Sequence, residues 1–320
     1  MNPTILLTGC EGQVGFELRR TLAPLGVVHA TGRSNLDLRD LDAIRTYMRE
    51  LRPEFVVNAA AYTMVDRAET ERDNASLING SAPGVLAEEL CKVGGKLIVH
   101  YSTDYVFNGR ADRPYTERDP TDPINAYGES KLAGEGSVQS AGAPYLILRT
   151  AWVYATRGRS FLLTVLRLAR QGKPLRIVSD QVGAPTWARM VAEATAQIIC
   201  RFFQSPPSEA RGRSGVYHLT ASGQTSWHSF TEAILLETLK RFEVLGRAPE
   251  WCKKALRDLS PISSAEYRTA ARRPVYSVLS NEKVSRSFNI RLPDWRDQLQ
   301  LALEDFDFDE GWGGPVRCRV

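Results

Sequence analysis

An α/β fold built on a doubly wound parallel sheet, with a smaller C-terminal lobe, is what this 320-residue chain predicts. Three observations lead there. Short apolar runs alternate with amphipathic stretches through the first half, the pattern of parallel strands covered by helices on both faces. Three glycines, Gly9, Gly12 and Gly15, separate the first apolar run from the first amphipathic stretch. Tyr127 and Lys131 follow the fourth run four residues apart, the spacing that puts two side chains on one helical face.

The elements read in order. Thr4–Thr8 is a strand ending in glycine, followed by a helix through Val14, Leu18, Leu22 and Leu25. Val27–Thr31 is a second strand. Leu41, Ile44, Met48 and Leu51 recur at helical spacing until Pro53, whose ring cannot continue a helix. Phe55–Ala60 is a third strand, Ala82–Cys91 a helix closing near Gly94-Gly95, Leu97–Tyr101 a fourth strand, Tyr127–Ser137 a helix and Tyr145–Thr150 a fifth strand. Beyond it the pattern is less regular. Helical periodicity returns at Phe161–Arg170, Ala188–Phe203 and Phe230–Leu239, with short strands at Arg176–Val178 and Gly215–Leu219. Ser205–Ser214 reads as a surface loop, and the stretch after Asp305 as a loosely ordered tail. The expected plan is a cofactor-binding domain over 1–155, a substrate-binding lobe over 156–305 with segments returning to the sheet, and a tail over 306–320.

Composition narrows the function classes. A hydrophobic fraction of 43% and a charged fraction of 24% are those of an ordinary water-soluble domain. No apolar run reaches the ~18–20 residues of a bilayer span, and no basic leader precedes the first strand, so the expectation is a cytoplasmic protein without membrane contact. Net charge is +4, and the basic residues are dispersed, which argues against nucleic acid. They comprise 33 arginines and 8 lysines; arginine's fork matches phosphates and carboxylates. Five scattered cysteines form no CxxC pair and four histidines no metal spacing, so no metal site is expected.

The glycine spacing suits a dinucleotide. Gly9 can take the turn's backbone angles, Gly12 lets pyrophosphate approach, Gly15 allows close helix–strand packing, and the helix N-terminus attracts the phosphates. A Rossmann-type sheet follows, with Glu11, Gln13 and Val14 also facing the cofactor. After the second strand, Gly32-Arg33 stands where NAD-selective sheets carry an acidic residue. Arg33 can accept a 2′-phosphate, which favours NADPH and leaves NADH open; a solvated loop arginine is the plainer reading in so Arg-rich a chain. Asp37 and Leu38 would approach the adenine, and Ala59–Thr63, with Ala61, Tyr62 and Thr63, the far side of the cofactor. An ammonium beside a phenol lowers the phenol's pKa from about 10, which lets Tyr127 act as a general acid to a carbonyl receiving hydride. The YxxxK spacing alone is weak. Its position 24 residues beyond Thr103 gives it weight, because Thr103 can then bond the same substrate oxygen.

These blocks together resemble the extended short-chain dehydrogenases/reductases, and more closely the dTDP-4-dehydrorhamnose reductase family. The resemblance extends to about residue 304. It is carried by Thr8-Gly9 through Gly15, Asn58–Ala61, Tyr101–Phe107, Tyr127–Glu135, Arg149-Thr150-Ala151-Trp152-Val153-Tyr154, Asp180–Thr186 and Ala271-Arg272-Arg273-Pro274. It implies NADPH-dependent reduction of the C4 ketone of dTDP-4-dehydro-6-deoxy-L-mannose to dTDP-L-rhamnose, the last step of dTDP-L-rhamnose synthesis. Tyr127 would be the acid, Lys131 would tune it and hold the nicotinamide ribose beside Tyr101, and Thr103, Asp104 and Trp152 would meet the sugar. For Trp152, core packing is the plainer reading. Arg272 and Arg273 suit a diphosphate. Related dehydratases carry an Asp-Glu pair after the catalytic threonine; Asp104-Tyr105 lacks the glutamate, which argues for simple reduction. Some bacterial members dimerise through magnesium-binding carboxylates. Glu17 fits that pattern, but Arg189 stands where a glutamate is expected, so magnesium is not assigned and a homodimer stays open. Two other readings compete: a reductase for a different 4-keto sugar nucleotide, and a non-catalytic subunit resembling the methionine adenosyltransferase beta subunit, which lacks the Arg-Thr-x-Trp-Val-Tyr block.

Overall fold

Strands β1 (Thr4–Thr8), β2 (Val27–Thr31), β3 (Phe55–Asn58), β4 (Leu97–Thr103) and β5 (Tyr145–Thr150) join the strand Gly215–His218 in one sheet. Its order is β2-β1-β3-β4-β5 and then Gly215–His218, with every pair parallel. The computed structural model describes residues 2–204, 212–247, 249–304 and 306–308. The chain turns one way from β1 to β2 and the other way from β1 to β3. That reversal opens a crevice at the carboxyl ends of β1 and β3, where ligands bind in open α/β sheets.

Alternate residues on each strand enter opposite cores, as the pleat requires. Ile5, Leu7, Val57, Val99 and Leu148 pack with Leu18 and Leu22 of α1 (Gln13–Leu22), with Val191 and Ile198 of helix Ala188–Gln204, and with Phe288. Leu6, Val56, Ile98 and Ile147 pack on the other face against α2 (Leu41–Leu51), helix Ala82–Lys92 and helix Ala126–Ser140. Each such fully buried side chain stabilises the fold by about 1.5–3 kcal/mol. Asp40 caps α2 by accepting from the Asp42 and Ala43 amides, and Arg52 closes it at φ +47°. The doubly wound parallel sheet is therefore as expected.

A third core fills the smaller lobe, where Tyr154 of the short strand Val153–Tyr154 packs with Leu166, Phe230, Ile234, Trp295 and Leu299 from helices Phe161–Arg170, Trp227–Val244 and Trp295–Glu304. Several elements differ from expectation. The strand at Gly215–His218, which lies in the main sheet beside β5, stops one residue short of Leu219. Helix Trp227–Val244 is longer at both ends than its apolar spacing indicates, starting on the Ser226 cap, whose side chain accepts from the Ser229 amide. Between Ala61 and Ala82, where the sequence shows no clear period, stand the short helices Val65–Ala68 and Arg72–Ser76 and a π-turn at Leu77–Ser81. Phe306 and Phe308, expected in a loose tail, are buried in the third core. The rest of that tail, and most of the expected Ser205–Ser214 loop, lie outside the described residues. Among the described residues no helix is long and apolar enough to cross a membrane.

Candidate active site

A cleft of about 1020 Å³ opens at the crevice between β1 and β3. Gly9 has φ +70°, and a Cβ there would fall 2.6 Å from the Ala60 backbone. A Cβ on Gly15 would come within 2.0 Å of the Gly9 carbonyl oxygen. The chain can make this turn only with hydrogen at both positions. Gly12 precedes α1, whose first turn carries no acidic residue, so the positive helix end faces the cleft. This cradle fits a dinucleotide pyrophosphate.

At the far end of the cleft, Asp37 accepts two bonds from the Arg39 guanidinium and lies 3.7 Å from Arg33. Arg39 holds the Asp37 carboxyl down at about 2, against the smaller opposing effect of burial. Two arginines thus converge beyond β2, one of them unforeseen, because Arg39 enters only through the loop that carries Asp37. Arg19, Arg157 and Arg159 also line the cleft.

The opposite end holds the reactive groups. Thr103 ends β4, and Tyr127 and Lys131 rise from helix Ala126–Ser140, which the Asn125 side chain caps by accepting from the Gly128 amide. Thr103 and Tyr127 line the same end of the cleft, and Thr103 Oγ1 donates to Asp104 Oδ1 at 3.0 Å. Burial pushes the Tyr127 phenol up to about 12, with the neighbouring Thr103 side chain opposing and the Asp104 charge assisting. This reverses the expected lowering. The Lys131 ammonium donates instead to the Tyr101 carbonyl oxygen at 2.6 Å, and its own pKa is drawn down to about 8 by burial. Burial raises Asp104 to about 6.

The π-turn, a feature common at functional sites, presents Asn79. Its Oδ1 accepts from the Tyr62 amide, and its Nδ2 donates to the Tyr62 carbonyl and to Ser130 Oγ. It therefore ties the Ala61–Thr63 wall to the helix bearing Tyr127. Gly134 makes that approach possible, since a Cβ there would lie 2.0 Å from the Asn79 carbonyl oxygen.

The structure places Gly9, Glu11, Gly12, Gln13, Val14, Arg33, Asp37, Leu38, Ala61, Tyr62, Thr63, Tyr101, Thr103, Asp104, Tyr127, Lys131 and Trp152 around this one cleft. Trp152 adopts φ +48°, a strained value for a bulky residue. Its indole stacks on Trp227 and packs against Gly183. Arg272 and Arg273 instead border a neighbouring cavity of about 840 Å³, together with Tyr105, Gln181 and Trp227. Arg273 is bound to Asp66 at 2.8 Å, whereas Arg272 is exposed. The Tyr105 ring, edge-on to Tyr127 at 5.8 Å, stands between the two cavities. Trp227 and Tyr105 were missed because nothing local in the sequence aims them here. Glu17 pairs with Arg20 at 3.2 Å and Arg189 with Glu193 at 3.1 Å.

Residues 2–308 match the family described as RmlD substrate binding domain. The chain belongs to this family. It is 48% identical over 301 residues to a dTDP-4-dehydrorhamnose reductase of Burkholderia thailandensis, covering 94% of this chain and 98% of that one. It is 43% identical over 306 residues to a protein of the same name from Escherichia coli K12, covering 94% and 97%. Its fold superimposes with a TM-score of 0.81 on the crystal structure of a dTDP-4-dehydrorhamnose reductase from Bacillus anthracis in complex with NADP, at 30% identity over 95% of this chain and all of that one. Membership of the RmlD family makes the protein an oxidoreductase, as the pairing of glycine turn and YxxxK implied.

Proposed function

We propose that the protein reduces the C4 ketone of dTDP-4-dehydro-6-deoxy-L-mannose to dTDP-L-rhamnose with NADPH, closing dTDP-L-rhamnose synthesis in the cytoplasm. The observation that carries this reading is the gathering of Thr103, Tyr127 and Lys131 in one glycine-cradled cleft, in a chain of the RmlD family.

NADPH, when bound, supplies the hydride. The residues supply the rest. Gly9 and Gly12 admit the pyrophosphate, and Arg33 with Arg39 meet the 2′-phosphate. Asn79 fixes the Tyr62 backbone along the wall. Tyr127 is fully protonated at neutral pH because burial holds its phenol near 12, so its proton is available as the substrate oxygen gains charge. Thr103 Oγ1 shares that oxygen, and Lys131 supplies a fixed positive charge that favours the oxyanion and the phenolate left behind. Arg272, in the substrate-binding lobe assigned to 156–305, offers a guanidinium to the diphosphate in the second cavity.

The retained set of Thr103, Tyr127 and Lys131 speaks against the non-catalytic subunit reading. The deciding experiment follows absorbance at 340 nm with NADPH and the 4-keto sugar nucleotide generated in situ, with product stereochemistry read by NMR. NADPH consumption yielding the L-rhamno configuration is expected. A talo product would assign a different sugar, and no consumption would remove the reading.

A further inference from the structure

Thr8, Asn58 and His100 occupy one row across β1, β3 and β4, since the register pairs Thr8 with Asn58 and Asn58 with His100. All three are buried and their side chains run together beneath helix Ala126–Ser140. Thr8 Oγ1 donates to Asn58 Oδ1 at 2.6 Å, and the Ala60 amide donates to the same oxygen at 3.3 Å. Two donors on Oδ1 fix the amide's orientation, so Asn58 Nδ2 is the atom facing His100 Nδ1 at 3.1 Å. An amide nitrogen only donates, so Nδ1 must offer its lone pair, and the neutral ring carries its proton on Nε2. The ring is neutral because burial, and then the charge of Lys131, hold its pKa well below the ordinary value.

That Nε2–H stands 3.5 Å from Lys131 Nζ. Ammonium and imidazole N–H are both donors, and neither can accept from the other. We propose that His100 is a positioning residue for Lys131: its Nε2–H, fixed by the Thr8–Asn58 pair, turns the ammonium away from the imidazole and onto the Tyr101 carbonyl. One lysine N–H goes to the Tyr101 carbonyl, and Lys131 lines the cleft. The inference rests on the role given to Lys131 above, and adds that the sheet, through one histidine tautomer, sets where the ammonium points. The same N–H opposes the ammonium and can donate to a neutral amine, so it favours the less charged lysine. The other titratable groups beside Lys131 are Glu135, one turn further along its helix and paired with Arg149, whose charge favours the ammonium, and Tyr127, one turn before it.

The tautomer can be measured directly by long-range ¹H–¹⁵N NMR of the imidazole, with His100 assigned by its loss in His100→Gln. An Nε2–H pattern is expected, and an Nδ1–H pattern would overturn the proposal whether or not any variant folds. Asn58→Asp supplies an acceptor to Nδ1, moves the proton there, and leaves Nε2 free to accept from Lys131. The Lys131 ¹³Cε titration should then move up by about one pH unit or more; an unchanged midpoint would also overturn it. His100→Leu should lower kcat by about tenfold or more, while the NADPH KM changes less than about twofold, and His100→Gln, which can keep an N–H toward Lys131, should restore most of kcat. Both NMR measurements need no sugar nucleotide, so failure to turn over the proposed substrate would strike the functional reading and leave this one standing.

Discussion

The indoles of Trp152 and Trp227 stack with centroids 3.6 Å apart and planes 6° from parallel. Trp152 lines the glycine-cradled cleft and Trp227 the neighbouring cavity, so the stacked pair forms part of the wall between the two cavities. Trp227→Ala removes one side of that wall. The KM for the sugar nucleotide should rise by about tenfold, the scale of losing one aromatic pair, while NADPH affinity stays within about twofold. Steady-state kinetics with each substrate varied in turn will show whether the two effects separate.

Tyr127→Phe keeps the ring against Tyr105 and deletes the proton. Turnover should fall by about 10²–10⁴-fold, the range for losing a general acid, with NADPH binding by fluorescence titration unchanged. A variant retaining near-full rate would mean that the proton comes from elsewhere.

Asp104 gives a stability signature. Burial holds its folded pKa at about 6, above the ordinary aspartate value of 3.8. Between these values the native state keeps a proton that the unfolded chain has released. Stability from this group is therefore full below pH 3.8, declines as pH rises through 6, and is lost above it. Asp104→Asn should stabilise the protein at pH 7 by up to about 3 kcal/mol and make little difference below pH 4. Urea denaturation at the two pH values tests the crossover.

Arg33 and Arg39 share the Asp37 carboxylate. Replacing both with alanine should raise the NADPH KM by about tenfold, as expected for lost guanidinium–phosphate bonds. The NADH KM should hardly move. Equal loss with both cofactors would place the 2′-phosphate elsewhere.

Glu135 and Arg149 form a buried ion pair at 2.7 Å, and Ser102 Oγ donates to the same carboxylate. Glu135→Gln leaves the guanidinium buried without its counter-charge, at a cost of about 3–5 kcal/mol. The midpoint of chemical denaturation should drop accordingly, even with NADPH bound.

Much of this architecture is legible from local pattern. The strands Thr4–Thr8, Val27–Thr31 and Tyr145–Thr150 and the helix Phe161–Arg170 coincide with their apolar runs, and all but the edge strand Val27–Thr31 are buried on the faces their spacing dictates. Tyr127 and Lys131 could be found because a helix writes proximity into a four-residue interval. The electrostatics could not: whether Lys131 lowers the phenol depends on where its ammonium points, which Tyr101 and His100 decide from another strand. His100 lies inside a fully buried strand and reads as one more core position. Val65–Ala68 and Arg72–Ser76 escaped because one or two helical turns carry too few apolar residues to show a period. Trp227, 75 residues from Trp152 in the chain, meets it only through tertiary packing.

Helix Ala188–Gln204 and strand Gly215–His218 belong by sequence to the second half and by contact to the first. A fragment ending at residue 155 would therefore expose Leu18 and Leu22 to water and leave β5 as a bare edge open to pairing with other chains. Such a fragment should aggregate rather than bind nucleotide. The cofactor half is thus finished only when most of the polypeptide has left the ribosome, and its folding must wait for residues synthesised long after its glycine turn.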